Sequence, residues 1–190
     1  WMHSGYPVMA HLESVPDLVD TQHLLDNGDW GAFHELGHNH QLSSWLLPGT
    51  TEAGVNLWSV YVYEQVLGIS RDVAHSALEP SSRADRIDDY LAGGADFYAD
   101  WNVWTALETL LQLQEGFGWA LFFDLFAEYN DLDASEEPSG DQAIIDQWVE
   151  RSSLAAGVDL GPFHIAWGFP VSQDVLDSVS LLPAWVDDPM

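Results

Sequence analysis

At 190 residues with 47% hydrophobic content, the chain has the size of one domain able to bury a substantial core. No apolar run reaches the roughly 18 residues of a membrane span. Thirty-one acids face four bases, Arg71, Arg83, Arg86 and Arg151, for a formal net charge of −27; such a chain is a poor binder of nucleic acid and is repelled by anionic membranes. Cysteine is absent, which excludes disulfides and thiolate metal sites.

The chain opens with Trp1 and has no basic stretch leading into an apolar one. No signal peptide is therefore visible, and the sequence reads as a single-domain piece, 1–190, of a longer protein. Residues 1–16 are punctuated by Gly and Pro, with an extended piece around Tyr6 to Ala10. That piece is either a buried structural strand or an edge strand able to pair with an extended peptide. Residues 17–27 suit a short helix.

The next helix, over 29–42, carries His34-Glu35-Leu36-Gly37-His38. Residues i and i+4 share one helix face, so His34 and His38 can aim two imidazoles at one metal. Glu35, beside the first of them, is placed to act as general base on a water. Zinc hydrolases keep three protein ligands and one open position. Ser44 stands where a metzincin would have its third histidine, which excludes that pattern. Glu52 is the first acid after the motif. It opens a helix over 51–67 that ends at Gly68, with Thr50 or Thr51 as cap. A carboxylate delivered on this second helix completes a His34, His38, Glu52 ligand set for Zn²⁺. Asn56, one turn on from Glu52, either orients a ligating histidine or satisfies its own surroundings. His40 falls far around the helix from the histidine pair and reads as a buried or supporting histidine. Tyr61 and Tyr63 are both candidates to steady a developing oxyanion, or are core residues.

Further on, 84–92 suits a charged helical turn, and two longer helices are expected over 95–114 and 117–130, split at Gly116 and Gly118. Trp101 and Trp104 would then share a helix face. The acidic loop 130–141 lacks the glycine and glutamate that a calcium loop requires at its sixth and twelfth positions, so it reads as solvated. A helix over 141–155, a short one after Gly161-Pro162, and a tail broken by Pro183 and Pro189 complete the chain. The remaining histidines, His3, His11, His23, His75 and His164, have no partner at ligand spacing. The ten tryptophans suit either ordinary core or stacking on sugar faces. The fold class expected is mainly α, with little strand.

Several stretches together resemble the enhancin-like, mucin-active gluzincin metallopeptidases. They are His34 to Gln41, Pro48-Gly49-Thr50-Thr51-Glu52, Asn56-Leu57-Trp58-Ser59-Val60-Tyr61, Trp1 to Met9, Leu113 to Trp119, Ala166 to Ser172, and Leu182-Pro183-Ala184-Trp185. Carried over by position, the resemblance implies zinc held by His34, His38 and Glu52, with Glu35 as base. It also implies the helical side of a zincin-like catalytic domain, cleavage of peptide bonds in O-glycosylated, mucin-type proteins, and an extracellular or cell-surface location. The chain departs from the pattern at Ala53-Gly54, where Val-Thr or similar is expected, and at Ala120, where an acid is common. A non-catalytic carbohydrate- or mucin-binding module on the same scaffold is the alternative. The acidity fits adaptation to high salt, an ordinary acidic secreted enzyme, or basic neighbours elsewhere in a longer protein.

Overall fold

The computed structural model describes residues 2–190; Trp1, in one of the stretches quoted above, lies outside them. The expectation of a mainly helical protein holds. One two-stranded antiparallel ribbon opens the chain, β1 (Met2–His3) against β2 (Met9–Ala10), with Met2 opposite Ala10 and His3 opposite Met9. Met9 is more than half exposed, so this is a surface ribbon and not a buried strand. Two short helices follow, α1 (Val15–Val19) and α2 (Thr21–Asn27), where the sequence suggests one. Asp20 divides them: its backbone is extended and its carboxylate caps α2 by accepting from the backbone N–H groups of Gln22 and His23.

α3 (Trp30–His38) starts at Asp29, whose side chain accepts from the Ala32 N–H at 2.8 Å. It stops at His38, four residues before the expected end. Asn39 there turns its amide onto the N-terminal segment, accepting from Gly5 N–H and donating to Gly5 C=O. α4 (Thr51–Tyr61) runs straight into a π-wound turn, Val62–Leu67. Thr50 occupies the cap position of α4, but its hydroxyl donates to Leu47 C=O, so no side chain caps this helix. α4 buries Ala53, Val55, Leu57 and Val60, which makes it a core helix with one polar stripe. α3 lies directly on it. A Cβ at Gly37 would sit 2.9 Å from Val55 Cβ and 3.0 Å from Val55 O, so the two backbones touch where only glycine fits.

α5 (Arg71–Ala74) and α6 (Pro80–Ala92) lead to the long α7 (Val103–Asn130), kinked at Gly118 by a positive φ of 74°. α7 begins eight residues later than expected, at an Asn102 cap. Trp101 is therefore in the preceding loop and does not share a helix face with Trp104. It packs on Phe97 and Phe169, whereas Trp104 packs on Trp30 and His75. α8 (Asp141–Ala156), α9 (Gly161–Ala166) and α10 (Gln173–Val179) close the core around Trp148, Phe163 and Trp167. Among the described residues no helix is long and apolar enough to cross a membrane.

All four arginines are held in ion pairs. Glu108, fully buried on α7, accepts from Arg83 Nε at 2.8 Å and from Arg86 Nη2 at 2.5 Å. Glu115 takes Arg83 at 2.6 Å and Arg71 at 2.9 Å, and Arg71 also reaches Glu64. Arg151 pairs with Glu128.

Candidate metal centre

The close approach at Gly37 sets the end of α3 against the start of α4. His34 and His38 stand one turn apart on α3, ring centroids 4.9 Å apart, and face Glu52 in the first turn of α4. His34 Nε2 lies 3.0 Å and His38 Nε2 3.5 Å from the same Glu52 oxygen, Oε2. The N-terminus of α4 favours the Glu52 carboxylate in its first turn. The histidine side chains are 18% and 16% exposed and Glu52 is 55% exposed, so the cluster opens to solvent on the glutamate side.

Both imidazoles are oriented by amides whose own orientation is fixed. Trp30 Nε1–H can only donate, and it points at Asn56 at 3.2 Å, so the Asn56 atom there is the carbonyl Oδ1. The same oxygen lies 2.7 Å from His34 Nδ1, which must therefore carry the proton and donate. At the second ring, Gln41 Nε2 donates to Thr51 C=O at 2.7 Å, which leaves Gln41 Oε1 facing His38 Nδ1 at 3.0 Å. That Nδ1 is also a donor. In its neutral form each ring then presents a bare lone pair at Nε2.

The donor set follows from this. Two bare nitrogens and a carboxylate oxygen, all acceptors, converge within 4.8 Å of one another. With both rings neutral such groups repel unless a proton or a metal cation lies between them, and two imidazoles with one carboxylate suit zinc with a fourth position left open. These residues fit the metal. They form the one such group of candidate ligands among the described residues, so the acidic stretch at Asp131, Asp133, Glu136 and Glu137 does not make a second.

Glu35 follows His34 on α3, half-buried, and its carboxylate has no hydrogen bond or ion pair to any described residue. It is thus not tied up by the fold. The other candidates fall elsewhere. His40 is exposed and lines a surface groove with Trp45, Trp58 and Phe123, while the Nδ1 atoms of the pair go to Asn56 and Gln41. Its expected burial and supporting role are not what the structure has, because α3 ends two residues before it. Tyr61 lies on the side of α4 opposite Glu52, packed edge-on against Trp119 and Phe123. Tyr63 shares the Glu52 face but stands roughly 16 Å further along the axis at 1.5 Å per residue. It is buried against Trp30 and Phe33, and burial raises its pKa. Neither tyrosine is placed to meet an oxyanion at the cluster. Gln41 is the functional candidate that sequence reasoning passes over. Its only local signal is its position three residues after His38, at a helix end not visible from the pattern.

The chain is 52% identical to TRPM8 channel-associated factor 2 from Bos taurus and 51% identical to TRPM8 channel-associated factor 2 from Homo sapiens, over the whole of this chain. It spans about a fifth of those relatives' lengths, 21% and 20%. Among solved structures, a conserved protein of unknown function from Bacillus anthracis matches 98% of this chain and 38% of its own, with 26% identity and a TM-score of 0.85. A metallopeptidase from Bacteroides thetaiotaomicron, 18% identical, shares the fold at a TM-score of 0.71 over 97% of this chain and 36% of its own. The family model described as peptidase M60, enhancin and enhancin-like, matches residues 1–168, and the chain belongs to that family.

Proposed function

We propose that this chain carries the metal-binding half of a zinc endopeptidase active site, with His34, His38 and Glu52 as ligands and Glu35 as general base. The observation that carries the proposal is the convergence of two imidazoles, whose ring directions are fixed by Asn56 and Gln41, on the Glu52 carboxylate. Family membership supports peptide-bond hydrolysis as the reaction. A bound zinc supplies Lewis acidity, polarising the scissile carbonyl and making water a nucleophile near neutral pH. Glu35 takes the proton from the attacking water and delivers it to the leaving amine nitrogen. His34 and His38 keep their Nδ1 protons on the two amides throughout, so neither ring is free to compete as the base.

The natural substrates in this proposal are glycoproteins with mucin-type O-glycans, met outside the cell or at its surface, and the 190 residues act as one catalytic subdomain. The test is cleavage of an O-glycosylated mucin fragment, and of the same peptide without its glycan, by the zinc-loaded full-length protein with and without chelator. Glu35→Gln is expected to keep the metal and lose at least 100-fold in turnover. Equal rates on the two peptides remove the glycan requirement. A second reading rests on the names of the relatives, TRPM8 channel-associated factors, which mention no peptidase. There the scaffold is a non-catalytic metal- or glycan-binding module, and the expected result is zinc binding with no cleavage by either wild type or Glu35→Gln.

A further inference from the structure

The two imidazoles are held by amides of different kinds. Asn56 sits on α4 itself, whereas Gln41 belongs to neither helix and lies in the turn just after α3. Its side chain spans the gap between them. Gln41 Oε1 accepts from His38 Nδ1–H at 3.0 Å, and Gln41 Nε2 donates to the carbonyl of Thr51, the residue before Glu52, at 2.7 Å. One amide thus joins a candidate ligand on one helix to the peptide next to a candidate ligand on the other. The fold makes room for it. A Cβ on Gly54 would lie 3.5 Å from Gln41 Nε2 and 3.3 Å from the ring of buried Trp45, so it would touch the amide and press on the ring. This gives a reason for a small residue at the position where the family resemblance leads one to expect threonine or similar.

We propose that Gln41 is a positioning residue of the metal centre: it fixes the tautomer and ring direction of His38, and its bond to Thr51 C=O sets which amide atom faces that ring. The inference rests on the reading of His34, His38 and Glu52 as zinc ligands. A residue that merely fastened the loop would need only the Thr51 bond. The bond to His38 Nδ1 is what ties Gln41 to the metal, because it leaves Nε2 bare on the side of Glu52. Partners of this kind typically change metal affinity by about 10- to 100-fold when removed.

Two substitutions separate the two bonds. Gln41→Met keeps the length of the side chain and loses both. Gln41→Glu keeps an acceptor for His38 Nδ1–H and loses the donor to Thr51. The readouts are zinc affinity by chelator competition, melting of the metal-free protein, and long-range ¹H–¹⁵N spectra that report which histidine nitrogen carries the proton. Gln41→Met should lose about 10- to 100-fold in zinc affinity, with a mixed tautomer signal at His38 and little change in metal-free melting. Gln41→Glu should recover most of the affinity and the Nδ1–H signal. Zinc affinity within twofold of wild type in Gln41→Met overturns the proposal, as does an equal loss in both variants. If Gln41→Met does not fold, Gln41→Glu decides: wild-type-like affinity and tautomer support the role, and a loss refutes it. Wild-type protein whose zinc binding is absent or unaffected by Glu52→Ala defeats the metal reading itself, and that result is visible before any Gln41 variant is compared.

Discussion

Two polar clusters sit on the same scaffold and are built in opposite ways. Around Glu108, both carboxylate oxygens meet guanidinium groups, and Glu115 is shared between Arg71 and Arg83. That cluster is closed: its charges answer one another inside the protein. At Glu52 the carboxylate meets two imidazole nitrogens that have given their protons' side of the ring to Asn56 and Gln41. That cluster is open: three acceptors face each other, and what completes them comes from outside. A buried charged group is thus not in itself a functional signal. Convergent groups of one hydrogen-bonding sense, held there by other side chains, are.

The contrast can be broken first at the closed end. Glu108→Gln leaves Arg86 without a carboxylate partner and Arg83 with Glu115 alone, and should cost up to about 3–5 kcal/mol of folding stability. Denaturant melts would show it, while zinc affinity measured below the melt stays at the wild-type value. Equal damage to zinc binding would mean that the two clusters are coupled. At the contact between α3 and α4, Gly37→Ala forces a methyl into Val55. An expected cost of about 1–3 kcal/mol should come with weaker zinc binding, because the same contact sets the distance between the histidines and Glu52. Lost stability with unchanged zinc affinity would separate packing from the site.

His164 supplies a third case, a lone buried group with neither an internal partner for Nε2 nor an opening to solvent. Its Nδ1–H donates to Leu160 C=O, and burial pushes its pKa down to about 4. The folded protein therefore refuses a proton that the unfolded chain accepts near 6.5. Stability is full above pH 6.5 and falls as pH drops toward 4, by at most about 1.4 kcal/mol per pH unit. His164→Leu leaves Leu160 C=O paired with the backbone N–H of residue 164 and should flatten that part of the pH curve. An unchanged curve would assign the acid sensitivity to the carboxylates. The smallest effect concerns salt. With every arginine already paired, the remaining acids repel across the surface, and the Debye length shrinks from about 10 Å at 0.1 M to about 3 Å at 1 M. Melting of the zinc-loaded protein should rise by a few degrees in molar sodium chloride and equally in potassium chloride. A flat or falling series would point to partners or further domains as the reason for the acidity.

The parts of this picture legible in the sequence are those carried by local spacing. The i, i+4 rule aligns His34 with His38 and Glu52 with Asn56, and the helical pattern of 51–67 carries α4 into its π-wound end. The rest depends on groups meeting across loops. Gln41 gains its meaning only because α3 stops at His38, and it stops there because Asn39 turns to Gly5, far back in the chain. Trp101 looked helical because nothing in 95–102 marks a break as strongly as the Asn102 cap does in three dimensions. In the tail, α10 spans Gln173–Val179, ahead of Pro183, and is too short to show a period. Tyr61 and Tyr63 could not be distinguished in sequence, since the helix turn that separates their environments also carries both away from Glu52.

The central claim is that the His34, His38 and Glu52 cluster is completed by one zinc ion. Its most direct test is a zinc titration of metal-stripped protein, run beside Glu52→Ala and followed by X-ray absorption of the loaded sample. The account predicts one zinc per chain, two imidazole nitrogens at about 2.0–2.1 Å, and at least 100-fold weaker binding in Glu52→Ala. Binding that is absent, or equally tight without Glu52, would contradict it.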